Sequence, residues 1–269
     1  MSRSKSSFPK GPLCTIDTLQ TELRELGLKE RDTILLHSSL SQLGWVNGGA
    51  EAVVRAILTV IGPKGTLVVP TQTGQLSPPI EWSDPPVHPS WLVPIQDTML
   101  AYNAQTSASR GMGQIAETVR TWPGASRSSH PQTSFAAIGP MADVVLKNHP
   151  LDNLLGEGSP LGTLEKLGAR VLLLGVGFDK CSAFHLAEYR VPKAPLVKQS
   201  FRVEVDGKAV WETVDTVDLD SDDFGALGEA FVEECKVLDG NVGAADCKLF
   251  ALKDAARYAK KWFVKNRGK

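Results

Sequence analysis

Hydrophobic positions along the chain recur with two periods. Ile16, Leu19, Leu23 and Leu26 stand at helical spacing, with Thr15 or Asp17 placed to cap and Gly27 to stop. Residues 32–36 read as a short buried strand that runs into a hydroxyl-rich turn, His37-Ser38-Ser39-Leu40-Ser41. Asn47-Gly48-Gly49 breaks the chain, residues 50–61 form an amphipathic helix, and residues 66–70 a second strand. Residues 133–139 and 169–174 are further strands, and 114–120, 141–148 and 163–167 further helices. Strands alternate with helices over short connections, which predicts an α/β layer architecture. After residue 190 the texture changes. Residues 199–205 and 209–214 flank Asp206-Gly207 as an antiparallel hairpin, an acidic run at 218–223 heads a helix, 240–250 form a terminal strand region, and 252–264 a basic closing helix.

Residues 75–94 fit neither period. They are proline-rich and hold Trp82 and Trp91 among Glu81, Asp84 and His88. Two tryptophans predict a packed loop, either the wall of a pocket or a structural flap.

Composition narrows the class. Of 269 residues, 42% are hydrophobic and 22% charged, as in a soluble globular chain with a substantial core. The expected organisation is one domain over 1–269, with a tail at 1–12 and residues 195–269 completing the domain. A net charge of -1 supplies no field for nucleic acid. No apolar run has the length of a membrane span, and the tail has no apolar core of a secretory signal. Cys14, Cys181, Cys235 and Cys247 show no CxxC, which predicts free thiols in a reduced, cytoplasmic setting. The five histidines show no ligand-like spacing, so no metal is expected.

The chemistry centres on Gly175-Val176-Gly177-Phe178-Asp179-Lys180-Cys181-Ser182-Ala183-Phe184-His185-Leu186-Ala187-Glu188, which follows the strand at 169–174. His185 and Glu188 are i and i+3, so they meet on one helical face as a general base with an orienting carboxylate; the plain alternative is a surface pair. The His37-Ser38-Ser39 turn reads as a phosphate-binding nest or as ordinary capping serines. Residues 106–113, with Ser107, Arg110, Gly111, Met112 and Gly113 ahead of a helix, read as a phosphate cradle or an N-cap; no Gly-Lys-Ser/Thr follows, so this is not a Walker loop.

Seven stretches in register resemble the aminoglycoside 3-N-acetyltransferase family, also called the antibiotic N-acetyltransferase family. They are Leu36-His37-Ser38-Ser39-Leu40 with Gly48-Gly49; Gly65-Thr66-Leu67-Val68-Val69-Pro70-Thr71; Gly111-Met112-Gly113-Gln114-Ile115-Ala116-Glu117 with Arg120; Arg127-Ser128-Ser129-His130-Pro131; Ser134-Phe135-Ala136-Ala137; Gly158-Ser159-Pro160-Leu161; and Leu172-Leu173-Leu174-Gly175-Val176 with His185-Leu186-Ala187-Glu188. The resemblance implies a central mixed sheet with helices packed around it, distinct from the common GCN5-related acetyltransferase fold. It implies acetyl-coenzyme A as donor and the 3-amino group of a 2-deoxystreptamine ring as acceptor. Carried over by position, His185 is the base, with Glu188 and Asp152 as its partners. His37, Ser38, Ser39, Ser41, Ser107, Gly111, Met112 and Gly113 are coenzyme A contacts. Thr73, Glu81, Asn103, Glu157, Asp179, Asp222 and Asp223 hold the polycationic sugar.

The chain departs from the family pattern at Leu100-Ala101-Tyr102-Asn103 and at Cys181-Ser182-Ala183-Phe184, both bearing on the acceptor. Two other readings stand beside the first: the same chemistry on a different amine, and a catalytically silent protein that binds coenzyme A or polyamines. A Cys181 nucleophile is the less favoured mechanism, because a thiol needs an electropositive site to ionise.

Overall fold

The computed structural model describes residues 11–83 and 85–267. The tail expected at 1–12 lies outside them up to residue 10, as does Asp84 of the 75–94 loop. The first half of the chain forms β1 (Leu13–Cys14), α1 (Ile16–Glu25), β2 (Thr33–Ser38), β3 (Trp45–Val46), α2 (Gly49–Ile61), β4 (Thr66–Pro70), α3 (Leu92–Thr98), α4 (Gly113–Arg120), β5 (Ser126–Arg127) and β6 (Phe135–Ile138). The second half forms α5 (Ala142–Leu146), α6 (Pro160–Lys166), β7 (Arg170–Leu174), α7 (His185–Glu188), β8 (Leu196–Val205), β9 (Lys208–Val217), α8 (Phe224–Glu234), β10 (Val237–Val242), β11 (Ala245–Ala251) and α9 (Leu252–Asn266).

Seven strands make a mixed sheet in the order β10-β11-β7-β2-β4-β6-β5. β2 is central and runs parallel to both neighbours, with Leu35 opposite Val68 and Leu36 opposite Leu172. The outer pairings are antiparallel. Period-2 alternation divides the side chains between two cores. Ile34, Leu36, Leu67, Val69, Leu172 and Leu174 face α1, α2 and α4; Leu35, Val68, Val171 and Leu173 face α5 to α9. Both faces are covered, so these strands read as unbroken apolar runs rather than alternating ones. Chain direction on β2 also places His37 on the Leu35 face, toward α7.

The expected terminal strand region is a full hairpin, β10–β11, whose β11 pairs antiparallel with β7 and extends the sheet. β8 and β9 form a separate two-stranded arm, turned by Asp206 and Gly207, both at positive φ (51° and 74°) as a tight right-twisted hairpin requires. Trp211 Nε1 donates to Gln96 O at 3.1 Å and Arg202 donates to Met99 O at 3.1 Å, which ties the arm to α3.

The packed-tryptophan expectation for 75–94 fails at Trp91, which is 60% exposed. The segment folds into single 3-10 turns that satisfy their own backbone, and Trp91 rests beside His88 at 6.2 Å instead of entering a core. Trp82 is half-buried, its Nε1 donating to Ser77 Oγ at 3.0 Å. Among the described residues no helix is long and apolar enough to cross a membrane.

Candidate active site

A cleft of about 840 Å³ opens where β2, β4 and β7 end, at the point where β2 has neighbours leading away on both sides. Open α/β sheets place ligand sites at such carboxyl ends. The cleft is lined by residues 36–41 at the end of β2 and just past it, by Pro70 at the end of β4 with Gln72, by the Gly111–Gly113 turn, and by Val176, residues 179–182 and His185 after β7. Trp45, Val46, Ser221 and Phe224 also line it.

His185 Nδ1 lies 2.6 Å from Glu188 Oε2, and the Glu188 side chain is only 4% exposed. The pair exists because α7 is a single turn that brings i and i+3 together. Phe224 covers the imidazole with ring centroids 4.7 Å apart. Glu188 is not alone: its Oε1 accepts from Asp220 N at 3.0 Å and from Arg267 Nη1 at 2.5 Å.

His37 shares a 3.2 Å hydrogen bond between its Nε2 and Ser182 Oγ. Burial, and then the neighbouring His185, push its pKa down to about 4, so His37 is neutral at neutral pH. The Cys181 thiol is completely buried and pushed up to about 12 by that burial, which removes the thiolate a nucleophile needs. Ser39 N donates to Leu174 O at 2.9 Å, so this amide is not open to a ligand; the Ser39 and Ser41 hydroxyls, 3.2 Å apart, are among the polar groups the turn offers. Gly111 and Gly113 hold φ at +74° and +82° on either side of right-handed Met112, a backbone that a Cβ would strain. The loop before them is fastened by Glu117, which accepts from Arg120 Nη2 and Ser109 Oγ at 2.6 Å each; chiefly the Arg120 hydrogen bond holds its carboxyl down to about 2.

The structure brings His37, Ser38, Ser39, Ser41, Gly111, Met112, Gly113, Asp179 and His185 to one cleft, with Glu188 behind His185. Other expected residues stand elsewhere. Asp152 is exposed and outside the lining, so the carboxylate on His185 is that of Glu188. Ser107 Oγ accepts from Asn103 N at 3.0 Å, and Asn103 Oδ1 caps its own turn through Gln105 N at 2.9 Å. Thr73 is buried with its hydroxyl donating to the Pro131 carbonyl. Glu157 accepts from Arg190 Nε at 2.6 Å, Asp223 is held by Arg267, and Glu81 and Asp222 are exposed. Ser182, Ser221 and Phe224 line the cleft without having been singled out. Only Ser182 carried a local sign, three residues ahead of His185. Among the described residues no three His, Cys, Asp or Glu side chains converge as metal ligands would.

Comparison with known proteins places the chain. The family model described as aminoglycoside 3-N-acetyltransferase matches residues 35–264. The SPbeta prophage-derived aminoglycoside N(3′)-acetyltransferase-like protein YokD of Bacillus subtilis (strain 168) is 43% identical over 98% of this chain and 96% of its own. The crystal structure of YokD superposes with a TM-score of 0.93, covering 98% of this chain and 97% of that one. Aminoglycoside N(3)-acetyltransferase VII of Streptomyces paromomycinus is 34% identical over 96% of this chain and 94% of its own. The structure of AAC-IIIb binary with CoASH has a TM-score of 0.84 at 26% identity, covering 94% and 97% of the two chains. The match over residues 35–264, with relatives aligned along nearly the whole chain, shows that this protein belongs to the aminoglycoside 3-N-acetyltransferase family of acyltransferases.

Proposed function

We propose that the protein transfers an acetyl group from acetyl-coenzyme A to the 3-amino group of a 2-deoxystreptamine aminoglycoside, by direct attack with His185 as general base. The observation that carries this reading is the His185–Glu188 pair: one imidazole nitrogen is engaged by a buried carboxylate, while the ring itself lines the cleft.

The chemistry follows from that geometry. An amine is nucleophilic only when it has a lone pair, so the proton it sheds on attack needs an acceptor. His185 Nδ1 carries its proton toward Glu188, which leaves Nε2 as the basic nitrogen. The amine nitrogen forms a bond to the thioester carbonyl carbon, and its proton passes to Nε2. The C–S bond then breaks, and the proton on Nε2 neutralises the departing thiolate. Glu188 stabilises the imidazolium between these events. Neutral His37 adds no competing cation beside it. The Ser39 and Ser41 hydroxyls, on the β2 side of the cleft, are candidate donors for the carbonyl oxygen. The Gly111–Gly113 turn and the apolar Leu36, Trp45, Val46 and Met112 suit a coenzyme A arm with a phosphate-bearing end.

One observation favours a second reading, the same transfer to a different amine. Of the acids expected to hold a polycation, only Asp179 lines the cleft, and Glu157 and Asp223 already pair with arginines. Thiol release from acetyl-coenzyme A, measured against aminoglycosides and simpler amines with mass spectrometry of the products, decides between them. Acetylation at the 3-amine establishes the first reading; turnover confined to simple amines establishes the second. No turnover with any amine would overturn both.

A further inference from the structure

We infer that Arg267, just past α9, is a positioning residue for the catalytic pair: it holds the Glu188 carboxylate in the plane that aims Oε2 at His185 Nδ1. The inference rests on His185 acting as base, and the test below separates the two.

Glu188 is nearly fully buried, and a carboxylate so placed must have its oxygens satisfied or it turns to find partners. One oxygen is on His185. The other accepts from Arg267 Nη1 at 2.5 Å and Asp220 N at 3.0 Å. Three donors from three parts of the chain fix the rotation of the carboxylate about its terminal bond, which is otherwise a soft torsion.

Arg267 can serve this way because it is itself immobilised. Its Nε donates to Asp223 Oδ2 at 2.7 Å, its Nη2 donates to Asp223 Oδ1 and to the Asp220 carbonyl at 2.6 Å, and the guanidinium lies 3.9 Å from the Phe263 ring centroid. The planar fork thus grips Asp223 in a bidentate pair and presents its remaining edge to Glu188. A lysine in the same place keeps the charge and loses the fork.

Charge counting shows why Asp223 belongs to the device. Glu188 beside Arg267 alone is a neutral pair, with little left to stabilise an imidazolium. With Asp223 the group Glu188–Arg267–Asp223 carries one net negative charge, and protonation of His185 brings the assembly to zero. Asp223 therefore restores to the site the charge that Arg267 withdraws.

The test needs no acceptor for its first arm. The His185 Nδ1 proton, in a 2.6 Å hydrogen bond to a carboxylate, gives a far-downfield proton NMR resonance, assigned by its loss in His185→Ala. Arg267→Ala is expected to broaden or shift that resonance, and Arg267→Lys to preserve it in part. The second arm is kinetic, with acetyl-coenzyme A and sisomicin. Arg267→Ala should lower kcat about tenfold to a hundredfold with KM nearly unchanged. In a Glu188→Gln background the same change should cost less than about twofold, because the residue acts through Glu188. A resonance unchanged in both Arg267 variants overturns the inference, as does a full kinetic cost in the Glu188→Gln background. If Arg267→Ala does not fold, Arg267→Lys and Asp223→Asn carry the same comparison. If sisomicin is not turned over, the resonance decides. His185→Ala that retains turnover refutes the base assignment instead, whatever the Arg267 variants do.

Discussion

His185 and Glu188, three residues apart on a single helical turn, meet at 2.6 Å between Nδ1 and Oε2. An ionised carboxylate accepts there, so the contact favours the tautomer with its proton on Nδ1, and in the proposed mechanism Nε2 is the nitrogen that exchanges a proton. On the proposed mechanism, removing the imidazole removes the base. His185→Ala should reduce acetyl transfer by about 10²–10⁴-fold, the usual contribution of a positioned base. Coenzyme A affinity, measured by calorimetry, should stay within about threefold. Glu188→Gln should fall between the wild type and His185→Ala, since the amide still fills the site but cannot stabilise the imidazolium. Turnover by His185→Ala close to the wild-type rate would rule out the assigned base.

Cys181 sits between the cleft wall and the core, and its thiol is pushed up to about 12 by burial. At pH 7 almost none of it is thiolate. Cys181→Ala should keep kcat within about twofold, and intact-mass analysis of enzyme mixed with acetyl-coenzyme A should show no acetyl-enzyme. A stable acetyl adduct on Cys181, competent to pass to the amine, would replace direct attack with a two-step route.

Much of this site was legible because its central pair is local. Spacing alone brings His185 to Glu188, and strand ends announced the His37–Ser41 turn and the run into His185. Hydroxyl and amide side chains were less legible, because residue type says nothing about direction. Thr73 and Ser107 are hydrogen-bonded to the main chain of Pro131 and Asn103, and Asn103 caps its own turn. Arg267 gave no local sign: it is 79 residues from Glu188, and only the packing of α9 against α7 brings the two together. Trp91 shows the limit of composition in another way, since a tryptophan in a proline-rich loop is buried only if a core lies within reach.

Two more histidines, His130 and His149, lie with tilted rings 4.7 Å apart against the arm, with Phe201 edge-on to His130 at 4.9 Å. Burial lowers His130 to about 3 and His149 to about 4, as it lowers His37 to about 4. The folded state thus binds these protons less readily than the unfolded chain, whose histidines titrate near 6.5. Their burial costs nothing in this respect above about pH 6.5, and stability declines as the pH falls from there toward about 4 for His37 and His149 and about 3 for His130. At pH 5 the loss is about 2 kcal/mol for each buried histidine. Urea unfolding at pH 7 and pH 5 should show a drop of several kcal/mol, reduced in His130→Asn relative to its own value at pH 7. Equal stability of the wild type at the two pH values would contradict the burial-driven shifts.

Arg127 tests how the Gly111–Gly113 turn is held. Its guanidinium donates to Thr71 O at 2.5 Å, to Thr71 Oγ1 at 3.0 Å, to Ser134 Oγ at 3.1 Å and to the carbonyl of Ser107. Among the described residues it has no carboxylate partner, and it lies 5.1 Å from the Tyr102 ring centroid. It therefore works as a cluster of donors that ties the end of β4 to the loop running from residue 104 toward Gly111. Arg127→Met keeps the bulk of the stem, takes the guanidinium donor from Ser107 O, and leaves Thr71 O with only the Ser134 hydroxyl. The expected cost is about 1–3 kcal/mol in urea unfolding, the penalty for buried and part-buried carbonyls losing charge-assisted hydrogen bonds. Because the loosened loop leads into the cleft at Gly111, KM for acetyl-coenzyme A should rise severalfold while kcat changes little, His185 entering the cleft from a different segment, after β7. Arg127→Lys should recover only a small part of either effect, since one ammonium cannot span the same acceptors. A variant as stable as the wild type, with an unchanged KM, would show that the loop keeps its place without this tie.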